Sequence, residues 1–252
     1  MNSQPTLVQL SIHDPMPPVE MAWGIETAAP GLLALGGGLA VERLLEAYGQ
    51  ACFPWYSAGQ PVMWWSTDPR MVLHTEDFRM HRSLKKQLKQ LLHKEQIEIR
   101  INHDFEKVIQ HCARTPRKGQ NGTWIVPDMV HAFVQLHRAG FAHSIETWIQ
   151  GELVGGLYCV AIGKAVFGES MFSHQSNASK MALAALICLC KQAEVTMIDC
   201  QQYTPHLASM GAKTMSRHVF LEHVMQVQHS PPVHWNFEPI YWNQLFHDAH
   251  HL

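Results

Sequence analysis

The chain has 252 residues, an apolar share of 46% and a formal net charge of −2. That length buries a substantial core, in one large domain or in a small one beside a larger one; the near-balance of charge excludes a general polyanion binder, so any nucleic-acid surface has to be a local patch. No apolar run reaches the ~18 residues of a membrane span, and Met1–Pro5 lack the basic-then-apolar layout of a secretory leader, so no membrane association and a cytoplasmic location are expected.

Residues 1–30 are rich in proline and polar side chains and read as an extended lead-in. Gly31–Leu35 is a short apolar run that ends in Gly36-Gly37-Gly38. A helix is predicted over 39–49, with Val41, Leu44, Leu45 and Tyr48 on one face and Pro54 as its stop. Two aromatic clusters follow, Phe53–Tyr56 and Trp64–Arg70, and a domain boundary is placed there: 1–70 as a small N-terminal domain, 71–252 as a larger one. Met71–Thr75 reads as a strand and His81–Lys94 as a helix on Leu84, Leu88 and Leu91. Ile97, Ile99 and Ile101 alternate as a strand, and a helix follows from Asp104, a candidate N-cap, to Cys112. Arg114–Gly122 is a basic loop. Pro127–Ala139 is a helix opened by proline and closed by Gly140. Ala142–Ile149, Glu152–Ile162 and Lys164–Phe172 form an antiparallel meander, Asn177–Ala193 a helix, Thr196–Cys200 a strand, Thr204–Gly211 a capped short helix, and Ser216–Val227 the last clear helix. Strands, then a helix and a further strand, give an α+β sheet and not a doubly wound parallel one.

The six cysteines sit mostly inside apolar patterns without a C-x-x-C, which reads as buried thiols in a reducing compartment and no zinc site. Eighteen histidines invite a metal reading, sharpest at His247–His251, but a terminal segment lacks the fixed geometry of a ligand set, and no metal is expected. Gly36–Gly38 before a helix fits neither G-x-G-x-x-G nor G-x-x-x-x-G-K-[ST], so a tight turn is expected there and not a nucleotide loop.

Arg79, Arg82, Lys85, Lys86, Lys89 and Lys94 occur without a single acid between them, opposite the leucines. A solvated helix face normally mixes signs, whereas a handful of like cations supports salt-sensitive RNA binding. Trp55, Trp64, Trp65 and Trp124 stand in loop-like contexts, as core fillers or as platforms for an unpaired base. Asp199 and Gln201 lie two apart at the end of an apolar strand, so they are expected on one face. On its own such a pair reads first as a structural hydrogen bond. Glu169, at the end of a neighbouring predicted strand, moves the reading toward a ligand site of convergent polar groups beside an apolar cleft. No G-x-S-x-G elbow occurs.

Taken together, Gly31–Gly37, Phe53-Pro54-Trp55, Trp64-Trp65-Ser66, Asp68-Pro69-Arg70, Gly122–Ile125, Ala142–Glu146, Leu153–Tyr158, Gly168–Ser173, Asn177–Lys180, Ile198–Gln201 and His206–Ala212 resemble the leucyl/phenylalanyl-tRNA–protein transferases, from Gly31 to about Val224. The resemblance implies a larger domain similar to the GNAT acetyltransferases and transfer of Leu, Phe or less often Met from aminoacyl-tRNA to proteins that begin with Arg or Lys, marking them for degradation. It implies no cofactor. It makes Asp199 and Gln201 the catalytic pair, gives Glu169, Trp55 and Trp124 to the substrate site, and gives the tRNA to Arg79, Arg82, Lys85, Lys86 and Lys89. Met171, Leu183, Leu186 and Ile198 are candidates for the aminoacyl side-chain pocket by spacing. In the expected mechanism the Gln201 amide oxygen accepts a hydrogen bond from the acceptor amine, Asp199 orients Gln201, Glu169 faces the cationic acceptor, and Trp55 or Trp124 holds the terminal adenosine.

The chain departs from the usual family residues at Gly38, Ala40, Thr67, Val126 and Ser216, none of them expected to touch the catalytic pair; the Gly36–Ala40 loop is expected to be altered in shape or stability. Two other classes fit less well. A coenzyme-A-dependent acetyltransferase needs a Gly-rich pyrophosphate loop, and Ser173–Ala178 is not one. A non-catalytic RNA-binding protein leaves Glu169, Asp199 and Gln201 without a purpose.

Overall fold

A computed structural model describes residues 6–115 and 125–246. Trp124, most of the basic loop and the His247–His251 tail lie outside the described residues. The chain is a mixed α/β structure built on two mixed sheets.

The first sheet comes from the N-terminal part. β1 (Val8–Leu10) pairs in parallel with β2 (Leu32–Gly36), so the expected lead-in contains a strand. Gly36, Gly37 and Gly38 all take positive φ and turn the chain into α1 (Val41–Gly49), as a tight turn requires. Ala40 stands at the N-cap of α1 without a side-chain hydrogen bond, so this helix starts without the cap that Ser, Thr, Asp or Asn provides. β3 (Phe53–Pro54) and β4 (Met63–Trp65) complete the order β1-β2-β4-β3. Trp64 and Trp65 therefore belong to a strand and not to a loop. Trp64 is fully buried, with its Nε1 donating to the Gly36 carbonyl at 2.9 Å, and is no stacking platform.

The second sheet carries the site. Its strands are β5 (Arg70–His74), β6 (Ile97–Ile101), β7 (Ala142–Ile149), β8 (Glu152–Ile162), β9 (Ala165–Ser173), β10 (Met197–Gln201) and β11 (Lys213–Met215), in the order β11-β5-β10-β9-β8-β7-β6. β6 to β9 run antiparallel, and the expected meander is present. Helix α2 (Arg82–His93) leads from β5 to β6, and α3 (Phe105–Arg114) and α4 (Pro127–Arg138) lie between β6 and β7. Asp104 caps α3, its carboxylate accepting from the Lys107 N–H at 3.2 Å. After β9 the chain crosses over through α5 (Ala178–Gln192) and returns as β10, parallel to β9. α6 (Pro205–Ser209), α7 (Arg217–Val227) and α8 (Asn243–Phe246) complete the α-helices among the described residues.

One apolar layer packs α1, α3, α4 and the first sheet against one face of the second sheet, around Tyr48, Phe133, Tyr158 and Phe167. The other layer holds α5, apolar on almost every side and accordingly buried. Leu84 and Leu88 of α2 close it on one side. The segment after α7 closes it on the other with Val233 and Trp242, a contribution that no helical period in the sequence announces.

Candidate active site

Adjacent strands β9 and β10 each carry a bulge at the same level of the sheet, midway along β9 and not at its end as expected, and at the last residues of β10. The pairing of β9 with β8 shifts register between Gly168 and Ser170, and that of β10 with β5 shifts between Asp199 and Gln201. A bulge re-aims a side chain out of strict alternation. Gln201 also takes a left-handed φ of 62°. The alternation expected to put Asp199 and Gln201 on one face ends there. Gln201 reaches the cleft, while Asp199 turns into the interior at 1% exposure.

Asp199 is held by Arg70. Arg70 Nε donates to Oδ1 at 2.8 Å and Nη2 to Oδ2 at 2.6 Å, a bidentate pair with no solvent exposure. The guanidinium stands 4.8 Å from the Phe53 ring centre and 4.7 Å from that of Phe220, and Nη1 donates to the Ala51 carbonyl at 3.1 Å. A charge pair this deep is tolerable only with such complete partnering. Asp199 Oδ1 also accepts the Gln201 backbone N–H at 2.9 Å, and Thr67 Oγ1 donates to the Gln201 carbonyl at 2.8 Å. Both backbone groups of the left-handed residue are thereby fixed. Thr67, a departure from the usual family residue expected to stay clear of the pair, touches it directly.

The Gln201 side chain is oriented by Glu169. Gln201 Nε2 donates to Glu169 Oε1 at 2.8 Å, and the fully buried Tyr48 hydroxyl donates to the same oxygen at 2.8 Å. Spending the amide N–H on Glu169 leaves the Gln201 amide oxygen as the group that accepts. Glu169 Oε2 is buried without a hydrogen-bond partner among the described residues. Burial pushes the Glu169 carboxyl up to about 8; the Tyr48 hydrogen bond opposes this, the Asp199 charge adds to it, and Arg70 and Gln201 oppose it. The Tyr48 phenol rises as well, from burial and then from Glu169 beside it.

These groups open on a cleft of about 790 Å³. Its walls include the apolar Leu157, Met171, Leu183, Leu186 and Ile198, and Trp55 stands at one edge. The Trp55 ring meets Trp65 edge-on at 5.4 Å, and Trp65 Nε1 donates to its carbonyl at 2.6 Å. Cys200 also faces the cleft, with burial pushing its thiol up and so against reactivity.

Residues 72–225 match the family described as Leucyl/phenylalanyl-tRNA protein transferase, and residues 37–68 match its N-terminal domain. The chain belongs to this family. Leucyl/phenylalanyl-tRNA–protein transferases of Polaromonas sp. strain JS666 and Albidiferax ferrireducens are 56% and 54% identical to it, over 94% and 97% of this chain and 92% and 97% of theirs. That of Leptothrix cholodnii is 54% identical over 96% of this chain and 94% of its own. The family is one of peptide-bond-forming aminoacyltransferases.

For a transferase of this kind the structure brings Glu169, Gln201, Trp55, Met171, Leu183, Leu186 and Ile198 to one cleft and sets Asp199 behind it. Trp124 lies outside the described residues. Arg82, Lys86 and Lys89 are exposed on α2 and Lys85 is half-buried; Arg79, also exposed, precedes the helix, its N–H donating to the Met210 carbonyl at 2.9 Å. Sequence reasoning misses Arg70 and Tyr48. The signal for Arg70 is a lone cation opening the otherwise apolar Met71–Leu73. Tyr48 reads as a core residue, and it is one, but its hydroxyl reaches the site. No helix among the described residues is long and apolar enough to cross a membrane, and no three His, Cys, Asp or Glu side chains among them gather as a metal site.

Proposed function

We propose that the chain works in the cytoplasm, moving Leu or Phe, and less often Met, from aminoacyl-tRNA to the α-amine of proteins that begin with Arg or Lys, and so marking them for degradation. The observation that carries this reading is an apolar cleft with a Glu169–Gln201 pair at its wall, beside a helix whose cations have no acids among them. The division is residues 1–70 and 71–252, the second GNAT-like. The β7–β8–β9 meander followed by the α5 crossover to a parallel β10 supports that class.

The aminoacyl ester is already activated, so no cofactor is needed. The side chain enters between Met171, Leu183, Leu186 and Ile198, Trp55 or Trp124 holds the terminal adenosine, and Arg79, Arg82, Lys85, Lys86 and Lys89 hold the tRNA. The acceptor amine attacks the ester carbonyl carbon, a C–N bond forms, the C–O bond to the ribose breaks, and the amine proton passes to the ribose oxygen. An α-amine with a pKa near 8 is roughly a tenth neutral at pH 7, so little help with deprotonation is required. The Gln201 amide oxygen accepts from the amine and favours the charge that develops on nitrogen. Asp199 acts through the Gln201 backbone, Glu169 through its side-chain amide, and Glu169 Oε2 faces the cationic acceptor, whose charge favours ionisation of a carboxyl that burial otherwise keeps protonated at pH 7. Orientation of the two substrates supplies much of the acceleration.

The test is transfer of labelled Leu from Leu-tRNA to peptides that begin with Arg or Ala. Transfer is expected to the first alone, and Gln201→Ala is expected to lower kcat/KM by about 10- to 100-fold. Equal transfer to both peptides overturns the acceptor assignment; an unchanged Gln201→Ala overturns the role of Gln201.

A further inference from the structure

A short chain of hydrogen bonds ties the basic helix α2 to the first turn of α5. Gln87 of α2 accepts from Asn177 Nδ2 at 2.9 Å and donates its own Nε2 to the Ser176 carbonyl at 3.3 Å. Asn177 Oδ1 in turn accepts from Lys180 Nζ at 3.3 Å. The Lys180 ammonium is therefore fixed at the seam where α5 begins against α2. His206, on the cleft wall, lies within the field of Lys180 and of His81, the residue before α2. Burial first, and then Lys180 and His81, hold its imidazole below the usual range.

Among the described residues, four lysines are paired with acids and Lys180 is not one of them. Lys107, Lys164, Lys191 and Lys213 each lie within 4.0 Å of a carboxylate. Among the described residues Lys180 has no carboxylate at that distance, and neither have Arg79, Arg82, Lys85, Lys86 or Lys89. Lys180 thus adds an ammonium without a carboxylate partner beside the cations of α2, with His206 of the cleft wall in its field. A donor with its body on α2 and its ester at Gln201 has to lay its unpaired strand across this seam.

We propose that Lys180, with His81 and His206 beside it, binds backbone phosphates of the unpaired 3′ end of the aminoacyl-tRNA where that strand passes from α2 into the cleft. The inference rests on the function proposed above. It makes Lys180 a positioning residue: it touches the donor's backbone and not the reacting atoms.

The experiment compares Leu-tRNA with 3′-O-leucyl-adenosine, a donor that has the ester but no phosphate, each with an Arg-initiated peptide. For Lys180→Gln the ratio of kcat/KM for Leu-tRNA to that for leucyl-adenosine is expected to fall about tenfold. The logarithmic salt slope of Leu-tRNA binding is expected to become shallower by about 0.7 for each single-strand phosphate that the variant no longer neutralises. Lys180→Arg restores both, which a merely structural role would not allow. His206→Gln is expected to lower the same ratio. If the unaltered protein transfers Leu and Lys180→Gln leaves ratio and slope unchanged, the inference is overturned and the proposed function stands. If the unaltered protein transfers nothing from either donor, both are overturned.

Discussion

Burial sets the protonation of Glu169, and the sign of its effect on stability follows. Its carboxyl titrates near 8 in the folded chain and near 4.3 when unfolded. The folded state therefore binds the extra proton between those values. Stability from this group is fully present below the unfolded pKa, declines as pH rises through the window, and is lost above the folded pKa, by on the order of a few kcal/mol. Glu169→Gln keeps an oxygen for Tyr48 and Gln201 but cannot ionise. Urea unfolding at pH 5 and pH 8.5 is expected to show a fall in stability for the unaltered chain and a much flatter response for the variant. An equal fall in both would place the titrating group elsewhere. Gln201 and Glu169 are legible in the sequence because a polar group ending or interrupting an apolar strand needs partners. Their geometry is not legible, because a bulge leaves no mark in a period-two pattern and a left-handed glutamine has no composition to announce it. Nor can spacing tell that Asp199 serves Arg70 first and the Gln201 backbone second.

At the scale of elements, the packing of α5 on β8 decides where the first turn of α5 stands. A methyl group on Gly155 would lie 2.5 Å from the Ala178 Cβ and 2.8 Å from its carbonyl carbon, and backbone cannot swing aside as a side-chain tip can. Gly155→Ala is expected to cost about 1–3 kcal/mol, as overpacking does, measured by thermal unfolding. It should also displace Asn177 from Gln87 and weaken Leu-tRNA binding. A variant as stable as the parent would show that α5 shifts freely. The long elements are readable because their apolar residues repeat over several turns or along whole strands, as in α2, α5, β7 and β8. β1, β3, β4 and β11 span two or three residues each, too short for any period, and exist because a neighbouring strand completes them.

For the whole molecule, a net charge of −2 conceals a polar division of labour. Glu76, Asp77, Glu98, Asp104, Glu106 and Glu194 pair with lysine or arginine at the surface, while α2 keeps its cations to itself. Arg82 and Lys86 are exposed and make no ion pair among the described residues. Replacing both with Gln is expected to leave stability within about 0.5 kcal/mol and to reduce the salt slope of tRNA binding by roughly one unit for each phosphate left without its cation. Filter binding across a salt series measures this, and an unaltered slope would remove α2 from the tRNA surface.

The Arg70–Asp199 pair has one more consequence, in the order of events on the ribosome. Its members are separated by 129 residues of chain. At 5–20 residues per second, Arg70 emerges roughly ten seconds before its counter-ion. An unpaired guanidinium does not enter an apolar interior. The strand that Arg70 opens therefore stays wet, and Phe53 stays open on that side, while most of the second sheet is still being made. β10 then brings Asp199 to Arg70 and to the Gln201 N–H. The nascent chain has no competent centre until that moment, so a truncated product released early carries no partial activity.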